Sequence, residues 1–235
     1  MKQSEAGAPP QPQHTAPPAA DRNHSPPTRR DRARRIAKAA HPFIILVALV
    51  PAARIVSQIF LGGLGANPIE EIQHRTGDWT LNFLVLTLSI TPLRRLFGWG
   101  WIVPYRRTLG LIAFFYATAH LLNYMVLDLF FDWGEIAEDI IKRPYITIGM
   151  AAFVALIPLA VTSTKGWIKR LGGRRWNRLH QLIYLVAVAG TIHYWLSVKQ
   201  DIAIPLIYSL LFSGLFAMRV AFAAADRRRR AAGSG

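Results

Sequence analysis

Six apolar stretches, each about 20 residues long, constrain this chain more than any other feature. They lie at approximately 42–62, 79–98, 108–128, 145–163, 179–198 and 202–224. A helix rises about 1.5 Å per residue, so each stretch is long enough to cross roughly 30 Å of hydrocarbon. The stretches lack the period-two alternation of barrel strands and contain prolines, which membrane helices tolerate. The sequence therefore predicts an all-α fold, an integral membrane six-helix bundle covering residues 41–224.

The charged residues between these stretches alternate in sign along the chain. Both tails and the 94–107 and 164–178 connections are basic, whereas the 63–78 and 128–144 connections are acidic. Short basic connections remain in the cytoplasm, so the sequence predicts that both termini are cytoplasmic. The same rule accounts for the formal net charge of +15. We therefore expect contact with membrane lipid and no nucleic-acid partner.

The two tails differ in composition from the spans. Seven of the fifteen prolines lie within the first 35 residues, which also hold many arginines. Such a segment has too few apolar residues to offset the entropy lost on ordering. We predict a disordered cytoplasmic tail at 1–40 and a basic cytoplasmic tail at 225–235.

Histidines are the main candidates for metal ligands, because the chain has seven of them and no cysteine. His120 lies thirteen residues after Arg107 in the third stretch, and His193 lies thirteen residues after His180 in the fifth. The third and fifth spans run in the same direction, so His120 and His193 should share one depth in the outer half of the bilayer. Two imidazoles at equal depth on facing helices suit the axial ligation of a haem, and structural burial is the alternative. Without a C-x-x-C-H attachment motif, the haem would be b-type.

The role of His180 stays open at the level of sequence. It lies roughly 20 Å along the helix axis from His193, a spacing that suits a second haem on the cytoplasmic side. The matching position in the third span holds Arg106 or Arg107, and arginine does not bind iron. His180 is therefore a ligand of a second haem with a non-histidine partner, a hydrogen-bond partner of a quinone or flavin, or a contact at a haem edge.

Two other residues have alternative interpretations. His74 falls in the first outer connection, where it is either an exposed loop residue or part of a docking surface. Arg54 lies within the first stretch, where it either extends its charge to the membrane surface or pairs with a haem propionate. A different class of function, a small proton-coupled transporter with an intramembrane histidine relay, would also use the buried histidines.

Several motifs over residues 61–208 resemble one family, MsrQ (also called YedZ), within the ferric-reductase-like transmembrane group. The motifs occur in the family's order along the chain, which makes the resemblance specific. They are GGLGANPIEEIQHRTG at 62–77, SITPLRR at 89–95, RRTLGL at 106–111, ATAHLLNY at 117–124, RPYITIG at 143–149, TSTKG at 162–166, RWNRLHQLIYL at 175–185 and HYWLSVK at 193–199.

The resemblance implies a function in electron transfer. Members of this family are multi-pass haem b subunits of the bacterial inner membrane. They form a heterodimer with a periplasmic molybdenum enzyme, MsrP, which reduces methionine sulfoxide in oxidised envelope proteins. The proposed electron donors are membrane quinone or a cytoplasmic flavin reductase, and FMN has been associated with the family. The resemblance thus implies an electron-transfer subunit whose substrate chemistry takes place on the partner.

The resemblance also implies a set of ligands. The family's histidines correspond by motif to His120, His180 and His193. In the wider ferric-reductase group, four histidines on the third and fifth spans hold two haems, and Arg106 lies near the missing fourth position here. Residues 225–235 are too few for the flavin and nicotinamide domain of ferric reductases, so we expect a separate electron donor.

Overall fold

The computed structural model describes residues 29–198 and 200–233, and within them it is helical with no β-strand. The chain is therefore all-α, as the sequence predicts. A 3-10 turn precedes α3 and a π-helical turn extends it to Asp128. The helices are α1 (Arg29–Leu61), α2 (Pro68–Phe97), α3 (Tyr105–Leu122), α4 (Trp133–Lys142), α5 (Pro144–Val161), α6 (Lys165–Leu179), α7 (Leu182–Ser197) and α8 (Ala203–Ala232).

Four of these segments are long and apolar enough to cross a membrane, in the part of the chain that the structure describes. They are Lys38–Leu61, Tyr105–Asp128, Pro144–Val161 and Ala203–Ala232. The pair α6 and α7, bent by 41° at their junction, makes a fifth if it is one broken span. The 30-residue helix α2 is not among them. Length and composition thus support up to five of the six predicted spans.

Helix α2 begins eleven residues before the apolar stretch that predicts it. Asn67 caps its N-terminus, because its side chain accepts a hydrogen bond from the Glu70 amide at 3.4 Å, and Pro68 occupies the first turn. Glu71 pairs with Arg75 one turn later. A capping asparagine, an early proline and acidic residues in the first turn are favourable helix-start signals. The 63–78 segment is therefore mostly helix, and the placement of His74 in a loop is wrong.

Other predicted connections and tails also contain helix. The 164–178 segment forms α6, and the 128–144 segment contains α4. Residues 29–40, predicted as part of a disordered tail, belong to α1, since alanine and arginine both favour helix. Residues 225–232 continue α8. A search for apolar stretches detects only the hydrophobic part of a helix, so it misses the polar ends of that helix. Residues 1–28 of the predicted tail lie outside the described residues.

The closest helix pairs are α2 with α3 and α5 with α7, and these four helices surround the interior. Apolar side chains also cover the outside, as Phe43 and Leu46 of α1 are both 65% exposed. Such large exposed apolar surfaces are rare on water-soluble monomers and suit contact with lipid. The most buried positions of the main core are Leu84, Leu88, Ala113, Tyr116, Val186 and Ala187.

Tyr116 connects α3 to α1 beside a proline. Its hydroxyl donates to the Ala48 carbonyl at 2.7 Å and accepts from the Ala52 amide at 3.1 Å. In an unbroken helix these two backbone groups would bond to each other. The Tyr116 hydroxyl is thus inserted into the backbone ladder of α1, immediately around Pro51. Insertion of a side chain into the ladder, like a proline, is a known cause of local helix distortion.

We expect Tyr116→Phe to lower the free energy of unfolding by about 1–3 kcal/mol, because it leaves buried polar backbone groups without their partner. Thermal unfolding in detergent measures the effect. Tyr105→Phe is the matched control, since the Tyr105 hydroxyl is buried with no hydrogen-bond partner among the described residues. The control should be neutral or stabilising. Equal destabilisation of both variants would contradict the inserted hydroxyl.

Candidate cofactor-binding site

A cavity of about 250 Å³ lies between α2, α3, α5 and α7. This volume is slightly below the roughly 300–1,000 Å³ of common small-molecule sites. Its walls are formed by Arg143 and by residues from four segments, 73–84, 117–128, 145–156 and 186–197. Each segment covers about three helical turns, or roughly 16 Å along the axis.

The cavity has one apolar end and one polar end. Leu84, Leu156 and Val186 line the end that is furthest from α4. The opposite end, beside α4, carries a group of polar side chains. These are His74, Tyr124, Asp128, Arg143, Tyr145 and Ser197.

His120 enters the cavity from α3 and is oriented by α2. Its Nδ1 lies 2.9 Å from the Gln73 carbonyl oxygen, and Thr76 Oγ1 lies 3.5 Å away. The Gln73 side-chain nitrogen lies 3.2 Å from Nε2 of the same ring, and Asn123 donates to the Gln73 side-chain oxygen at 2.6 Å. A carbonyl that accepts from one ring nitrogen fixes the tautomer and the ring orientation, which is the usual arrangement behind a metal-binding histidine.

His193 enters the cavity from α7 and is oriented by α5. Its Nδ1 lies 2.6 Å from the Tyr145 carbonyl oxygen. The ring lies directly against the backbone of Gly149, where an added Cβ would be 2.7 Å from Nδ1. His120 is similar, because a Cβ on Gly77 would be 3.2 Å from two atoms of its ring. The His193 imidazole therefore lies where only a glycine leaves room, and the His120 imidazole packs tightly against Gly77.

The structure brings His120 and His193 together. Their ring centroids are 6.0 Å apart, and the ring planes are perpendicular, at 89°. Two metal–imidazole bonds of about 2 Å each would place ring centres roughly 6 Å apart, so this spacing is compatible with two histidines that bind one metal ion. Among the described residues there is no group of three or more histidine or acidic side chains that could hold a metal. Two histidines beside a cavity lined by four helices would suit a metal that is held by its own macrocycle.

His180 lies elsewhere, at the bend between α6 and α7, and does not line the cavity. Its Nε2 is 3.1 Å from Thr162 Oγ1, and its ring stacks on Trp176 with centroids 3.9 Å apart. Arg106 is close enough to interact with it electrostatically. Arg106, which the family resemblance places near a missing fourth histidine, thus lies near His180. Arg54 is exposed on α1 and is not among the residues that line the cavity.

The sequence did not reveal four further residues that shape this site. Gln73 and Tyr145 contribute backbone carbonyls, and Gly77 and Gly149 contribute open space. A glycine inside a helical segment was the available signal, because it costs stability and usually marks a close approach. Gly77 and Gly149 each lie within one of the motifs quoted above, but their contacts depend on how helices pack.

Known proteins resemble this chain over most of its length. A relative from Herminiimonas arsenicoxydans, named protein-methionine-sulfoxide reductase heme-binding subunit MsrQ, is 48% identical over 194 residues, which are 82% of this chain and 89% of the relative. The chain belongs to the MsrQ family. An MsrQ protein from Rhodospirillum rubrum, with the same descriptive name, is 49% identical over 201 residues, or 86% of this chain and 93% of its own.

The wider group matches as well. The family described as "Ferric reductase like transmembrane component" matches residues 76–191, a range that contains His120 and His180 and ends two residues before His193. An MsrQ protein from Caulobacter vibrioides is 47% identical over 175 residues, covering 74% of this chain and 83% of its own. No solved structure matches the chain. Together with its apolar helices, this membership identifies a multi-pass membrane protein.

Proposed function

We propose that this chain is a haem b membrane subunit that carries electrons and that His120 and His193 are its axial ligands. The main support for this proposal is the distance of 6.0 Å between the ring centroids of His120 and His193. The Nδ1 atom of each ring also lies next to a backbone carbonyl oxygen. That arrangement leaves each Nε2 for iron. The Gln73 side chain, now 3.2 Å from Nε2 of His120, must move aside for the bond. The apolar end of the cavity, formed by side chains from several helices, suits the macrocycle.

We propose that the chain crosses the membrane six times and that both termini are cytoplasmic. Helix α2 would be the span that length and composition do not identify. Helix α2 has 30 residues, or roughly 45 Å, which is enough to cross the bilayer. Its polar residues lower its hydropathy, but several face the protein: Thr76 and Thr87 are buried and donate to backbone carbonyls within the helix. A helix surrounded by protein needs less apolar surface than one facing lipid. The basic 94–107 and α6 segments then lie in the cytoplasm.

The names of the relatives support the proposed partner. They are subunits of a protein-methionine-sulfoxide reductase, so we propose that this chain delivers electrons to a periplasmic MsrP-type molybdoenzyme from the bacterial inner membrane. When bound, haem supplies a one-electron carrier. The chain orients the ligands, excludes water with its apolar walls and presents the acidic α4 region, with His74, to the partner.

The cytoplasmic side would receive the electrons from membrane quinone or a flavin reductase. Arginine-rich α6 and the 94–107 connection concentrate positive charge there, which suits an acidic donor or the phosphate of FMN. His180 lies at this end, where its ring stacks on Trp176. We propose that His180 serves electron entry, either as a ligand of a second haem or as a contact of the donor.

We expect His180→Ala to leave the haem between His120 and His193 in place with an unchanged spectrum, because His180 does not line that cavity. Haem is quantified per polypeptide in the purified variant and in the unsubstituted protein. A fall from two haems to one would assign His180 as a ligand, and an unchanged ratio with slower reduction would assign the donor contact. Loss of all haem from His180→Ala would contradict the proposal that His180 lies apart from the haem site between His120 and His193.

The decisive experiment for the function is a reduced-minus-oxidised spectrum of the purified full-length protein. We expect the bands of a low-spin b-type haem. A spectrum without them would overturn the proposal and leave a transporter with a histidine relay as the better interpretation. Reduction of MsrP-type enzyme in membranes that contain this chain, and not in membranes that lack it, tests the direction of electron flow.

A further inference from the structure

Haem b carries two propionate carboxylates, which need cationic or hydrogen-bonding partners when they are removed from water. Arg143 is the only arginine or lysine among the described residues that line the cavity. It lies at the polar end, between α4 and α5, where Tyr124 and Tyr145 also reach the cavity. The opposite end is formed by Leu84 and other apolar side chains. The cavity therefore has the same polarity as the ligand, with one charged edge and one apolar edge.

The Arg143 side chain is held in a fixed direction by Asp139. Its Nε lies 2.9 Å from Asp139 Oδ1, and the Tyr124 hydroxyl donates to Asp139 Oδ2 at 3.0 Å. Both carboxylate oxygens of Asp139 thus have partners. The Asp139 side chain is only 8% exposed, whereas that of Arg143 is 53% exposed. Asp139 pairs with the Nε edge of the guanidinium, so this ion pair does not occupy the Nη groups.

We propose that Arg143 binds the haem propionates and so sets the orientation of haem in the cavity, with its carboxylate edge towards α4. The inference rests on the proposed haem-binding function. An arginine binds a carboxylate through two parallel hydrogen bonds, which a lysine does not reproduce. Tyr145, which also lines the cavity, lies close enough to Arg143 to interact with its guanidinium. Asp139 acts as a positioning residue.

Two other basic side chains, those of Lys142 and Arg54, do not line the cavity as Arg143 does. Lys142 is adjacent in sequence but does not line the cavity, and it pairs with Glu138 one turn earlier on α4. Its side chain is 68% exposed. Arg54, the candidate suggested by the sequence, is exposed on α1. Lys142 is therefore the matched control, since its replacement removes the same charge from the same surface without touching the cavity.

The test compares Arg143→Gln and Lys142→Gln in full-length protein that is made without haem and reconstituted with haem b or with its dimethyl ester. The readout is the rate at which haem leaves for an excess of apomyoglobin. Loss of a charge-assisted bond should make haem b leave Arg143→Gln about tenfold faster than the unsubstituted protein. Lys142→Gln should match the unsubstituted protein. With the ester, which has no carboxylate, Arg143→Gln and unsubstituted protein should release the ligand equally fast.

Two outcomes overturn the inference. One is equal haem b release from Arg143→Gln, Lys142→Gln and the unsubstituted protein. The other is faster release from Arg143→Gln that persists undiminished with the ester, which would assign Arg143 to the folding of α4 and not to the propionates. Both outcomes can be interpreted only if the unsubstituted protein binds haem with a low-spin spectrum. Failure of that binding would refute the proposed function, so the two failures are distinguishable.

Discussion

Replacement of either His120 or His193 by alanine should remove the proposed b-type haem from the purified protein. Each ring is one of two candidate axial ligands, and the two ring centroids are only 6.0 Å apart. Losing even a group that orients a ligand costs about 10–100-fold in metal affinity, so losing the ligand itself should reduce bound haem at least as much. The two single variants should resemble each other, because a low-spin iron needs both axial bonds.

His41→Ala is the control for these two variants. His41 Nε2 lies 2.8 Å from Thr108 Oγ1, so its replacement removes a histidine and a hydrogen bond between α1 and α3 outside the cavity. Haem content per polypeptide and the reduced-minus-oxidised spectrum are measured for all three. His41→Ala should retain both. Full haem content with unchanged spectra in His120→Ala and His193→Ala would refute the ligand assignment, whereas recovery of the spectrum with added imidazole would strengthen it.

The sequence was sufficient to predict that His120 and His193 lie close together. The number of residues between each histidine and the start of its span predicts its depth in the membrane, and the two spans were predicted to run in the same direction. The sequence was not sufficient to place His180. Thirteen residues rotate a straight helix by roughly 220°, so His180 and His193 on one straight helix would point in different directions. The bend of 41° at the junction of α6 and α7 leaves His180 packed against Trp176 and Thr162. A bend depends on tertiary packing, which hydropathy does not report.

The polar ends of helices were predicted less well than their apolar centres. The beginning of α2 was assigned to a loop although Asn67, Pro68 and Glu70 together form a helix-start signal. The 128–144 segment that contains α4 was predicted only as an acidic connection, and the burial of Asp139 against Tyr124 was not foreseen. Charge patterns predict the side of the membrane, but they do not distinguish a solvated carboxylate from one that positions an arginine.

Gly149→Ala adds only one methyl group, but we expect it to have a large effect on haem binding. A Cβ at this position would lie 2.7 Å from Nδ1 and 2.9 Å from Cε1 of His193, distances at which something must shift. Movement of the ring would break its 2.6 Å contact with the Tyr145 carbonyl and displace Nε2 from the metal position. We expect at least a tenfold faster loss of haem, or conversion of the low-spin spectrum to a high-spin one.

Gly214→Ala separates this clash from the general effect of adding a methyl group to a membrane helix. Nothing lies within 4 Å of a Cβ built on Gly214 of α8. Both substitutions gain the same helix propensity, up to about 1 kcal/mol, so the difference between them isolates the contact with His193. Gly77→Ala should fall between them, because its Cβ would lie 3.2 Å from His120 Cε1 and Nδ1. The expected order of haem loss is therefore Gly149→Ala, then Gly77→Ala, then Gly214→Ala. An equal spectrum and equal haem content in all three would mean that the backbones of α2 and α5 do not constrain the two imidazoles.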